Sequence, residues 1–175
     1  QNEDGSCCGN GLFILATTKE LLKAANDTDD YNDCSYVILY RPPNGAKVII
    51  AGDSHDKTWE HILENWESEV KDCDVLLAPH HGRDSKRSYK FLDILKPKVT
   101  FFGIAKSDHL GYSAWSNRGL QVFTNNQGNC LISKFKENGT EIRCTYKTFA
   151  DAFCKANDTT TNYDSTTKSY YLMTI

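Results

Sequence analysis

Apolar residues along this chain fall into short runs with two different periods, and the periods separate strands from helices. Gly11-Leu12-Phe13-Ile14-Leu15-Ala16 is a continuous apolar run, which predicts a strand buried on both faces. Thr17 stands three residues before Glu20, a capping-box signature that opens a helix over Lys19–Asn26. The polar, Asp-rich stretch 26–33 predicts a loop. Ser35–Tyr40 and Lys47–Ala51 then predict two strands of a hairpin joined through Pro42-Pro43-Asn44-Gly45.

Beyond Gly52-Asp53, the residues Trp59, Ile62, Leu63 and Trp66 recur at helical spacing and predict a helix over Lys57–Glu67 with those side chains facing a core. Asp56 is placed to cap that helix. Asp74–Ala78 predicts a buried strand ending in Pro79-His80-His81-Gly82. A helix over Ser88–Leu95 is stopped by Pro97, and Val99–Ile104 forms the next strand. Residues 105–119 predict a polar loop or short helix, Leu120–Thr124 and Asn129–Phe135 a hairpin, and Asn138-Gly139 a second hairpin turn. The Thr-, Asp- and Asn-rich stretch 157–169 makes 151–175 a mobile polar tail with a short strand at Tyr170–Ile175, after a domain over 1–150. Strands alternating with helices, flanked by hairpins, give an α/β fold: a mixed sheet with flanking helices.

Composition narrows the function classes. A net charge of -3 argues against broad, nonspecific nucleic-acid capture. No run reaches the length of a membrane span, and the first residues lack the basic start and apolar stretch of a signal peptide. The seven cysteines include no Cys-x-x-Cys pair, so they read as reduced residues of a cytoplasmic protein, not as a disulfide framework.

The chemistry gathers at two strand ends. Val48–Ala51 closes on Gly52-Asp53, and Val75–Ala78 closes on Pro79-His80-His81-Gly82. Carboxyl ends of strands are where ligand-binding groups converge in α/β sheets. A strand–helix–strand unit makes the two strands parallel and sets Asp53 beside the histidines. A carboxylate with imidazole suits zinc, manganese or iron. Arg83, Lys86 and Arg87 follow in a charged loop that could meet a phosphate, and His109 lies in a later loop. His55 and His61 read as surface residues.

The succession Asn32-Asp33-Cys34-Ser35-Tyr36-Val37, Val48-Ile49-Ile50-Ala51-Gly52-Asp53, Val75-Leu76-Leu77-Ala78-Pro79-His80-His81-Gly82 and Leu95-Lys96-Pro97-Lys98-Val99 resembles the competence-protein type of metallo-β-lactamase-like domain. Phe123-Thr124-Asn125 with Gly128-Asn129-Cys130-Leu131-Ile132 looks like that type's closing hairpin, so the likeness covers roughly residues 11–135. The resemblance implies the C-terminal half of an αββα sandwich and a hydrolase cleaving a phosphodiester or related bond with metal-activated hydroxide. It implies a dinuclear site, zinc first, bridged by Asp53. One imidazole is a metal ligand, His80 or His81, with His80 favoured as the nearer to the strand; the other contacts substrate or leaving oxygen. Arg83, Lys86 and His109 become substrate-binding candidates.

This chain departs from that pattern in one respect above all: it contains no His-x-His-x-Asp-His motif. The expectation is therefore a site completed by a missing N-terminal half or another copy of the chain, acting on a phosphate-containing small molecule or nucleic acid. The alternative is a non-catalytic regulatory or interaction domain that retains the fold. Half a sandwich would also expose an apolar sheet face.

Overall fold

A computed structural model describes residues 10–85 and 87–175; Cys7, Cys8 and Lys86 lie outside them. Six strands form one sheet in sequence order: β1 (Leu12–Ala16), β2 (Val37–Tyr40), β3 (Val48–Ile50), β4 (Val75–Leu77), β5 (Val99–Phe102) and β6 (Val122–Thr124). The first three pair antiparallel and β3 through β6 pair parallel, so the sheet is mixed as expected.

Side-chain alternation gives this sheet two working faces. Leu39, Ile49, Leu76 and Phe102 point to one side and pack with α1 (Lys19–Thr28), α2 (Asp56–Val70), α3 (Phe91–Leu95) and α4 (Tyr112–Ser116). Trp115 of α4 is 1% exposed there, and its Nε1 donates to Thr100 Oγ1 at 2.9 Å. On the other side, Val48, Val75, Val99 and Phe123 share a second core with Ile142, Cys144, Ala150 and Leu172.

That second core is closed by a four-stranded antiparallel sheet in the order β7 (Leu131–Lys136), β8 (Gly139–Cys144), β10 (Ser169–Thr174) and β9 (Tyr163–Asp164), with α6 (Lys147–Ala156) beside it. The polar stretch expected to stand off as a tail is therefore part of the fold. Its polar residues hide two facts: Leu172 is buried in the core, and Arg143 binds the chain at Asn162 and Ser169.

The second sheet also corrects the picture of a bare half-sandwich, because the chain covers part of the sheet face itself. Register aligns Ile14, Ile38, Ile50, Leu77, Phe101 and Phe123 in one row across the sheet. Phe123 is buried under α6, but Ile50 and Leu77 are each 37% exposed and Ile14 63%.

Several local expectations shift for identifiable reasons. Strand β1 is an edge strand with Leu12 and Ile14 exposed, not a strand buried on both faces. The cap of α1 is Thr18, whose hydroxyl accepts the Leu21 N–H, and the helix runs on to Thr28. Trp66 is 39% exposed because non-helical dihedrals at that residue kink α2 and turn its side chain outward. Asp56 does not cap α2; its carboxylate accepts the Ser88 N–H instead. Leu120–Thr124 and Asn129–Phe135 are not a hairpin. Between β6 and β7, a capping box joining Thr124 and Gln127 starts the short α5 (Asn125–Gly128), which carries the chain from one sheet to the other.

Candidate functional site

Strand β3 leaves the sheet through a tight turn at Gly52, whose φ of +55 and closeness to the Tyr36 carbonyl both call for glycine. Asp53 follows immediately. Next to it, β4 runs into a 3-10 turn, Pro79–Gly82, in which His80 (φ 51, ψ 43) and His81 (φ 60, ψ 12) are both left-handed. Left-handed backbone costs a non-glycine residue about 1–2 kcal/mol, so two in succession need support from their surroundings.

The neighbouring strand ends supply it. His80 N–H donates to the Gly52 carbonyl at 2.9 Å, and the Gly103 N–H, just past β5, donates to the His81 carbonyl at 3.1 Å. Gly82 fits its φ of +80 and lies against the Phe102 ring, where a Cβ would come within 2.5 Å. The histidine turn is thus stitched to β3 on one side and β5 on the other. Strain held by over-determined packing is a mark of functional sites.

The outcome is the juxtaposition the sequence predicts. His81 Nε2 lies 3.9 Å from Asp53 Oδ1, with both side chains about half exposed. The pair forms the polar end of a cavity of about 320 Å³ whose apolar floor is Ile50, Leu77 and Phe101, with Asn125 and Leu131 also lining it. Zn–N and Zn–O bonds of about 2.0–2.2 Å put neighbouring tetrahedral ligands roughly 3.3 Å apart, so a small side-chain rotation lets this pair share one ion. Two donors leave at least one further ligand to be found.

His80 stands apart from that cavity, its ring centroid 6.4 Å from that of His81. Burial holds its imidazole below the ordinary value, with Arg87, Arg83 and His81 adding and Asp53 opposing. Arg87, which the sequence places in a charged surface loop, is 5% exposed. Its guanidinium donates to the Ser54 carbonyl, to Ser85 Oγ at 2.8 Å and towards His80 Nδ1 at 3.3 Å.

The substrate-binding candidates come together only in part. Arg83 is exposed and bridges to Leu110, and the Asp84 N–H donates to the His109 carbonyl at 2.8 Å, so the loops of Arg83 and His109 run side by side. Neither side chain lines the cavity. His109 is exposed, with its Nε2 3.7 Å from Asp108.

Among the described residues, the group of three donors that could close on one ion is a different one: Asp30, Asp33 and His55, whose ligand atoms lie within 4.8 Å of one another. Asp53 with the two histidines does not form such a group. The sequence reading of His55 as a surface residue is corrected here, since its side chain is 22% exposed and its Nδ1 lies 3.0 Å from Asp30. Buried Asp33 accepts the Thr58 N–H at 3.1 Å and so caps α2 from a distant loop. These contacts account for the cluster as helix capping. Its signal in the sequence was the Asp30-x-x-Asp33 spacing inside a stretch that reads as loop.

One neighbour of the pair makes a direct prediction. A Cβ at Gly103 would lie 2.7 Å from His81 Nδ1, so Gly103→Ala should push the imidazole away from Asp53. The expected cost is about 1–3 kcal/mol of stability from overpacking, together with a changed His81 ring environment in NMR. An unmoved His81 resonance would remove Gly103 from the site.

Comparison of the chain with protein-family models, with curated proteins and with solved structures yields no match.

Proposed function

We propose that this chain carries part of the active site of a metal-dependent hydrolase, with Asp53 and His81 as its ligand-bearing pair. The observation that supports this reading is their convergence at 3.9 Å, from the carboxyl ends of adjacent parallel strands, at the polar end of a cavity. A divalent cation held there, zinc first and manganese or iron next, would supply Lewis-acid activation of water at neutral pH. Asp53 contributes the charge that attracts the ion, and His81 a neutral donor. Arg83, exposed two residues beyond His81 and outside the cavity lining, is the cation proposed to meet a phosphodiester or related phosphate group of a small molecule or a nucleic acid.

The missing ligands come, in this reading, from an N-terminal half or from another copy of the chain. The exposed row of Ile14, Ile50 and Leu77 beside the site is the surface such a partner would cover. No helix among the described residues is long and apolar enough to cross a membrane; a cytoplasmic location is part of the proposal and is supported by the lack of a Cys-x-x-Cys pair or disulfide framework in the sequence.

A second reading, a non-catalytic α/β interaction domain, is favoured by one observation: no third donor joins Asp53 and His81 among the described residues. Hydrolysis of bis(p-nitrophenyl) phosphate with added Zn²⁺ or Mn²⁺ separates the two. The hydrolase reading predicts an inactive isolated chain and, once the partner that completes the site is supplied, turnover that chelator abolishes and that Asp53→Ala lowers by about 100-fold or more. Turnover of that completed assembly indifferent to both, or none with any metal, supports the second reading.

A further inference from the structure

We infer that Arg87 fixes His80 as a hydrogen-bond donor, which leaves His81 as the imidazole that shares a cation with Asp53. The second half of this statement rests on the metal reading above; the first half does not.

Arg87 is held in place before it reaches His80. Its side chain is buried, and two of its nitrogens are already committed to the Ser54 carbonyl and to Ser85 Oγ. The remaining Nη2 faces His80 Nδ1 at 3.3 Å. A guanidinium has donors only and stays protonated in proteins, so Nδ1 must be the acceptor. A neutral imidazole accepting at Nδ1 carries its one proton on Nε2. Nδ1 then holds its lone pair in the hydrogen bond and Nε2 carries the proton, so neither offers a lone pair to an ion.

His81 differs in each respect. It presents Nε2 to Asp53 and lines the cavity, whereas His80 does neither. The two rings are turned 61° from each other, so the same left-handed turn aims one at the carboxylate and leaves the other with the arginine. The histidine nearer the strand is thereby a donor, suited to an oxygen of a bound substrate, and the later one is the ligand. Arg87 is a positioning residue that acts through His80.

Long-range proton–nitrogen NMR of the metal-free 175-residue chain tests the first half. His80 should show a protonated Nε2 and an unprotonated Nδ1, and the Nδ1 resonance should move towards that of an unbonded ring nitrogen in Arg87→Met but not in Arg87→Lys. A proton on Nδ1, or an Nδ1 resonance indifferent to Arg87→Met, overturns the assignment. Zn²⁺ titration tests the second half. His80→Gln should bind within about threefold of the parent chain, and His81→Gln at least about tenfold more weakly. The reverse order overturns the ligand choice. If no form binds Zn²⁺, the metal reading fails and the His81 role with it, while the spectra still decide the Arg87–His80 pairing.

Discussion

Trp115→Ala should lower the stability of the chain by about 3–5 kcal/mol, the range for emptying a large buried aromatic site. Trp115 lies at the meeting point of the helical layer and the mixed sheet, with an edge-to-face contact to Phe102 at 4.8 Å and another to Tyr89 at 5.5 Å. Its removal leaves a cavity and strands the Thr100 hydroxyl, which is fully buried and receives the indole N–H. For a chain of this length the loss amounts to a fall in Tm of roughly 6–20 °C. Trp115→Phe should recover most of the packing but not the hydrogen bond. Urea unfolding measures both variants, and a loss below about 1 kcal/mol for Trp115→Ala would show that this layer is not the main core.

Arg143→Ala should cost a comparable amount, about 3–5 kcal/mol, by a different route. The Arg143 side chain is 2% exposed, and its guanidinium joins β8 to Asn162, before β9, and to Ser169 at the start of β10. It donates to Ser169 Oγ at 3.0 Å, to the Ser169 carbonyl at 3.0 Å, to the Asn162 carbonyl at 2.9 Å and to Glu141 at 3.1 Å. Truncation removes the guanidinium donors from buried Ser169, whose hydroxyl keeps only Thr167, and Glu141 keeps only Lys136 as ion partner. Lys should not rescue it, since one ammonium cannot span acceptors arranged for a planar fork. Amide exchange over β9 and β10 should accelerate in Arg143→Ala before exchange over β3–β5 does. Uniform acceleration across both sheets would show that the second sheet has no separate fastening.

The contrast between these two residues explains how much of the fold was legible in the sequence. The mixed sheet and its helices follow from apolar runs and helical spacing, which report burial directly. Three strands of the second sheet are read from the sequence too, at Asn129–Phe135, after the Asn138-Gly139 turn and at Tyr170–Ile175, but their assembly into a separate sheet with β9 is not. Strand β7 is half-buried along most of its length, β9 is two residues long, and the segment between α6 and β10 is mostly exposed, with Arg143 holding it at Asn162. Hydropathy does not register an anchor made by one polar side chain. The hairpin expected at Asn125–Gly128 fails for a related reason. Asn-rich turn residues suit either a hairpin or a capped helical turn, and only the Thr124–Gln127 spacing distinguishes them.

The candidate site was legible as a pair of strand ends and illegible in its detail. Gly-Asp and His-His-Gly identify Asp53 and the histidines, and the strand–helix–strand unit predicts that they meet. Which histidine faces the carboxylate depends on a left-handed turn and on Arg87 folding back from seven residues away, neither of which has a local signature. Gly103 is silent in the sequence for the same reason, because its role is to leave room for a ring from another strand.

Co²⁺ or Zn²⁺ titration of the full chain, comparing the parent with Asp53→Ala and with Asp33→Ala as the control for the capping cluster, tests the central claim most directly. One specific ion per chain that is lost in Asp53→Ala and kept in Asp33→Ala is the predicted result. Binding that survives Asp53→Ala and disappears in Asp33→Ala would place the metal at Asp30, Asp33 and His55 and contradict the site proposed at Asp53 and His81.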